Sequence, residues 1–329
     1  MLNKKGTDQL KGLAILLVVL GHLFVTKFFD SSSHTVNYLG AQGVAIFLIL
    51  SGYGLTKSFQ KQGIDRSFLT RRLQTVLIPY SFVTLIWILL DAFQGNTYSV
   101  KTLILSLIGF DFQLTIDATM WYISFILMWY VIFFFTFKLP LPNLLRIGIL
   151  FGFAYLLRYH SRFGPTELVF WQWGLHAFMF PLGALWALLP NKFHLRKATP
   201  FVAFGGSIVG FGFYLINVPL NDTGLGPYMV SNFAFSFAAI SLFFFFDYFD
   251  LSSNLLTYIG TISYEIYLLE AVFMYKINIP YLLPNKGASL LLYIVTLIVS
   301  SLILKQVTKY LTQGVSHLTK PLSSPVIHR

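Results

Sequence analysis

The sequence predicts an all-α fold: a polytopic transmembrane helical bundle of about ten spans, with both termini on the cytoplasmic side. Three observations predict it. Of 329 residues, 56% are hydrophobic and only 11% charged, which is far from the balance of a soluble domain. Apolar runs of about twenty residues recur from end to end, the length at which a helix crosses the hydrocarbon core. The Lys and Arg residues also fall unevenly on alternate connecting segments, as the positive-inside rule requires.

The elements follow in order. Lys4 and Lys5 precede the first apolar run in the manner of a secretory leader. No small-x-small cleavage site intervenes before Lys27 and Phe28, so the run is expected to remain as the first span. Spans are expected near 10–29, 40–59, 74–93, 119–137, 144–160, 168–189, 200–218, 228–248, 255–275 and 288–310, each bounded by polar, Gly or Pro punctuation. The stretch Thr102 to Phe110 is too short to cross and suits the interface. With the N-terminus inside, 17 of the 23 Lys and Arg residues lie in cytoplasmic segments, among them Arg66, Lys192, Arg196, Lys197, Lys320 and Arg329. The segment after the eighth span breaks the pattern, carrying Asp247 and Asp250 but no cation. No connecting segment is long enough for a soluble domain, so 1–329 reads as a single transmembrane domain of the cell membrane.

The absence of cysteine removes disulfides, thiolate nucleophiles and cysteine metal sites, and no metal site is expected. The net charge of +11 marks the cytoplasmic side of a bilayer protein and implies no nucleic-acid partner.

An ionisable side chain at mid-membrane costs roughly 2.5–3.5 kcal/mol on insertion scales, which makes each one a candidate functional group. On the first span, Lys11 and His22 are eleven residues apart, which places them within about 20° of one face and ~16 Å apart along the axis. Lys11 reads as a topological anchor or as a functional cation. His22 reads as a histidine bonded to backbone or as an interior catalytic group. Gly12 and Gly21 on the same helix admit close backbone approach and favour the interior. Arg71 and Arg72, at the mouth of the third span, read as anchors or as a phosphate clamp, since a guanidinium fork binds phosphate oxygens in pairs. The ninth span holds Glu265 and Glu270. Glu270 lies on the outer half, where it is expected to pair with His22, to orient a substrate hydroxyl, or to serve as a structural carboxyl. His176 is a second intramembrane histidine without a motif. On the outer side, Asp111, Asp117, Trp121, Tyr122, Arg158, His160, Arg162, Glu167, Trp171 and Trp173 gather, either as an interfacial aromatic belt or as the ring-and-carboxylate mixture that a sugar requires.

Six segments in order resemble the acyltransferase family 3 of multi-spanning membrane enzymes, in its stand-alone form without a hydrolase-like extension. Asp8-Gln9-Leu10-Lys11-Gly12-Leu13-Ala14 through Gly21-His22 is similar to the family's opening Arg-x10-His segment. Gly43 to Tyr53 resembles its Gly-Val-x-x-Phe-x-x-Ser-Gly-Tyr segment, and Arg72 with Leu77-Ile78-Pro79-Tyr80 its entry to the third span. Met120-Trp121-Tyr122, Phe180-Pro181-Leu182-Gly183 and Gly260-Thr261-Ile262-Ser263-Tyr264 resemble later elements. Three positions depart. Lys11 stands where the family has arginine, keeping the charge but not the fork; Thr75 replaces a frequent second arginine; and Glu270 occupies a place often held by histidine.

The resemblance implies transfer of an acyl group, usually acetyl, from cytoplasmic acyl-CoA as donor substrate, with no bound cofactor, to a hydroxyl of an extracytoplasmic or cell-surface carbohydrate. Under that reading Arg71 and Arg72 hold the CoA phosphates and Lys11 supplies charge along the thioester path. His22 acts as general base, its ordinary pKa near 6.5 suiting proton transfer at neutral pH, or as the site of a covalent acyl-histidine. Glu270 is its candidate partner. Ser51 or Tyr53 donates to the thioester oxygen, and Trp121 and Tyr122 contribute to substrate binding. The competing class is a transporter or flippase of a polysaccharide precursor, in which Lys11, His22 and Glu270 line a pathway. No internal repeat supports it.

Overall fold

In the computed structural model the described residues are 2–29, 34–65, 67–163, 168–189 and 199–318. Arg66, Glu167, Lys192, Arg196, Lys197, Lys320 and Arg329 lie outside them, as does the side chain of Arg162. All regular structure among the described residues is helical: α1 (Lys4–Val25), α2 (Leu39–Gln62), α3 (Phe68–Phe93), α4 (Val100–Leu107), α5 (Trp121–Lys138), α6 (Asn143–Phe163), α7 (Leu168–His176), α8 (Met179–Leu188), α9 (Thr199–Asn217), α10 (Leu225–Tyr248), α11 (Asn254–Thr261), α12 (Ser263–Ala271) and α13 (Lys286–Leu318), with short 3-10 turns between.

Among the described residues, eight segments are long and apolar enough to cross a bilayer: α1, α2, α3, α5, the α7–α8 pair, α9, α10 and α13. The other two segments expected as spans take different forms. α6 runs 21 residues, but Arg146, Arg158 and His160 dilute its hydropathy. The expected ninth span is interrupted at Ile262, which divides it into α11 and α12 and is followed by a π turn over Val272–Lys276. The short stretch expected at the interface is α4, tied to α3 by Tyr80 and Ser81, whose hydroxyls donate to the carbonyls of Ser106 (2.5 Å) and Leu107 (2.7 Å).

α1 is capped by Asn3, whose Oδ1 accepts from the Gly6 N–H at 2.7 Å. It packs against α2, α11 and α12. Small residues set these approaches, because helices in lipid associate through backbone proximity and packing rather than water exclusion. A Cβ on Gly12 would overlap the Leu256 carbonyl of α11, and one on Gly260 would overlap the Asp8 carbonyl of α1. Gln9 adds a polar tie, its Oε1 accepting from Ser253 N at 3.0 Å. The core between α5 and α8 is aromatic, with Trp129 stacked on Phe180 at 5.0 Å and Phe133 on Phe137 at 4.0 Å. The outward faces of α9 and α13 instead expose Phe201, Ile208, Ile216, Leu291 and Ile303. This is the apolar girdle that a bilayer requires, and the protein is an integral membrane protein.

Candidate active site

Two helices bring the first pair together. α1 carries His22 one turn from its C-terminal end, and α12 carries Glu270 just before the π turn. His22 Nδ1 and Glu270 Oε1 lie 2.5 Å apart, with Glu270 fully buried and the imidazole 24% exposed. Nδ1–H therefore donates to the carboxylate, which leaves Nε2 as the basic nitrogen. Glu270 Oε2 has no hydrogen-bond partner among the described residues.

His22 opens into a cavity of about 490 Å³ whose other walls include Trp87, Asp117, Thr119, Trp121, Gln172 and Lys276. Thr119 donates to Asp117 Oδ1 through both its backbone N–H and its hydroxyl, each at 2.7 Å. Burial nonetheless pushes the Asp117 carboxyl up to about 6. Asp117 Oδ2 and the Trp87 indole nitrogen are buried with no hydrogen-bond partner among the described residues. Lys276, at the end of the π turn, is paired with the fully buried Asp91 and lies 5.0 Å over the Trp87 ring. Tyr98 completes the network, its hydroxyl donating to Asp91 at 2.7 Å. Lys276 is thus a compensated charge, which lowers the cost of holding it in the wall.

A second cavity, of about 380 Å³, lies toward the other end of α1 and is lined by Lys11, Ser51, Arg72, Thr75, Tyr122, Tyr130, Tyr264 and Tyr267. One layer of side chains separates it from the first. Tyr267 lines the second cavity, and its hydroxyl donates to the carbonyl of Thr119, which lines the first, at 2.6 Å. The Tyr122 ring packs edge-on to Tyr267 at 5.7 Å. Lys11 lies 3.7 Å from Asp8 on its own helix, and the Arg72 guanidinium sits 5.8 Å from the Phe68 ring.

The residues singled out from sequence divide accordingly. His22, with Glu270 bonded behind it, and Trp121 meet at one cavity; Lys11, Ser51, Arg72 and Tyr122 meet at the other. Arg71 goes elsewhere: its guanidinium grips Asp65 through two 2.9 Å hydrogen bonds, exposed at the surface. Tyr53 is buried against Trp186, ring to ring at 4.5 Å. His176 is fully buried, with Nδ1 at 2.9 Å from the Gln172 carbonyl and Nε2 at 3.1 Å from that of Ala41. Trp173 is also interior, stacked on Phe125 at 5.5 Å. Sequence reasoning did not single out Trp87, Asp91 or Lys276. Their signal was weak: an aspartate ending one apolar run and a lysine ending another, both easily taken for boundary residues. Among the described residues no three His, Asp or Glu side chains cluster as a metal site.

A family model described as an acyltransferase domain matches residues 4–306. Searches of curated proteins and of solved structures returned no match. The match runs from the first residue of α1 into α13 and takes in every residue lining the two cavities. With its residues set around two cavities that nearly meet beside a carboxylate-bound histidine, this chain belongs to acyltransferase family 3.

Proposed function

We propose that the protein transfers an acyl group, acetyl in the simplest case, from acyl-CoA to a hydroxyl of a cell-surface or extracytoplasmic carbohydrate. The Lys11 end of the bundle then faces the cytoplasm and the His22 end faces outward across the cell membrane. The observation that carries this reading is the pair of cavities meeting at one side-chain layer, with His22 on the outer side of that layer. A donor and an acceptor approaching from opposite faces would come together there.

The chemistry follows from the residues. An acceptor hydroxyl in the His22 cavity gives its proton to Nε2 as its oxygen attacks the thioester carbonyl carbon. Glu270 stabilises the imidazolium that forms and fixes the ring's orientation. As the C–S bond breaks, the CoA sulfur leaves and recovers that proton from His22. Tyr122, or Ser51 through it, is suited to donate to the oxyanion, because both face the donor cavity. Arg72 and Lys11 bind the phosphate-bearing part of the donor. On the acceptor side, Trp121 offers a ring face, and the unpartnered Asp117 Oδ2 and Trp87 N–H offer one acceptor and one donor for hydroxyls.

Purified protein supplied with labelled acetyl-CoA and candidate glycans tests the reading. His22→Gln should reduce transfer by about 10²–10⁴-fold, the usual worth of a general base, while inserting in the membrane as the parent does. Turnover retained by that variant, or net glycan transport without acylation, would sink the assignment.

A further inference from the structure

The donor cavity has a side branch that the acyl-transfer chemistry does not use. A cavity of about 430 Å³ shares Lys11, Thr75, Ser263 and Tyr264 with it and extends along α13. There α13 presents Lys305, Thr308, Lys309 and Thr312, a spacing of i, i+3, i+4 and i+7 that places all four on one helical face. Lys305 Nζ donates to the Thr261 carbonyl at 2.7 Å, which holds its ammonium at the rim between α11 and α13. Lys309 is exposed one turn further on. Glu265 is the anion of this branch, so the cations on its walls outnumber it.

The charge balance of the donor site gives this branch a purpose. Coenzyme A carries a diphosphate and a separate phosphomonoester, and the donor cavity itself offers only Lys11 and Arg72, since Arg71 is committed to Asp65. A thioester held at the His22 end sets the diphosphate back toward Lys11, about 16 Å along α1, and the phosphomonoester beyond it. Resting on the acyl-CoA reading above, we propose that the α13 face built by Lys305 and Lys309 is the subsite for the ligand's terminal phosphomonoester. Two ammonium groups are the complement of a dianion, while the Thr308 and Thr312 hydroxyls donate to the Lys305 and Thr308 carbonyls of α13.

The test compares acetyl-CoA with acetyl-dephospho-CoA, which lacks only that phosphate, by equilibrium dialysis against full-length protein in phosphatidylcholine nanodiscs. The parent protein should prefer acetyl-CoA by about tenfold or more, and Lys305→Gln/Lys309→Gln should bind the two ligands alike, at the weaker of the parent's two affinities. Lys305→Arg/Lys309→Arg should restore the preference. If the parent binds acetyl-CoA but the glutamine variant keeps the full preference, the subsite is wrong and the acyl-CoA reading stands. If the parent binds neither ligand, the acyl-CoA reading falls and the subsite falls with it. Nanodiscs containing phosphatidylglycerol separate the two sources of phosphate. A preference lost there but present in phosphatidylcholine would assign the face to lipid headgroups and overturn the proposal. Should the double variant not fold, Lys309→Gln alone, at an exposed position, is expected to lose part of the preference, and no change would overturn the proposal equally.

Discussion

The two ends of this bundle treat charge in opposite ways. Around the His22 cavity every ionisable group is either compensated or tuned by burial: His22 is bonded to Glu270, Lys276 is paired with Asp91, and Asp117 takes two hydrogen bonds from Thr119. Around the donor cavity and its side branch, Arg72 and Lys309 form no ion pair with a carboxylate among the described residues, Lys305 shares its cavity wall with the single anion Glu265, and Lys11 has the nearby Asp8. The lesson is about ligands. Walls whose charged groups are hydrogen-bonded within the protein and set among aromatic faces suit a hydroxyl-rich acceptor, whereas surplus cations suit an anion that brings the compensating charge.

This contrast is sharpest at Glu270. Glu270→Gln keeps the shape but gives His22 Nδ1 an ambiguous partner, so kcat is expected to fall by ~10²–10⁴-fold, as when a triad carboxylate is neutralised. The KM for acetyl-CoA should stay within about threefold. A comparable rise in that KM, measured by steady-state transfer assays, would break the division between the ends.

The donor end should respond in the complementary sense. Arg72→Ala is expected to raise the KM for acetyl-CoA by about 10–100-fold, the loss of a charge-assisted hydrogen bond worth ~1.5–3 kcal/mol. Arg71→Ala, which breaks only a surface pair, should change it by less than about threefold. Equal effects at the two arginines would show that both reach the ligand.

The smallest expected effect is on stability. Asp117 titrates near 6 in the folded protein, above its value in an unfolded chain. The folded state therefore binds the proton more tightly, and stability should decline as pH rises from about 4 to 6, after which no further change is due to this group. Asp117→Asn should flatten the pH dependence of Tm across that window in detergent-solubilised protein. An unchanged slope would overturn the assignment of this pH dependence to Asp117.

Much of this was legible in the chain. Length and hydropathy alone identify most of the membrane helices, since spanning a bilayer constrains each segment locally and leaves a run of apolar residues as its trace. The shared face of Lys11 and His22 and a pairing of Glu270 with His22 were expected from the chain, because charge is expensive in that setting wherever it occurs. The interruption at Ile262 and the π turn that follows were not readable. Gly260, Thr261, Ile262 and Ser263 are weak helix formers, but residues of this kind are common inside membrane helices, and only the structure shows the division beside the close approach of Gly260 to the Asp8 carbonyl of α1.

The sequence by itself thus determined the class, the helices and the residues that carry a cost in the membrane, all properties of single segments. Only the tertiary structure decided which of those residues face one another. It put Arg72 on the cavity and its neighbour Arg71 on Asp65, closed His22 onto a carboxylate 248 positions away, and paired Lys276 with Asp91. Adjacent positions on a helix point about 100° apart. Which of two neighbouring arginines meets a ligand is therefore set by the helices packed around them, and that arrangement is not written in any one segment.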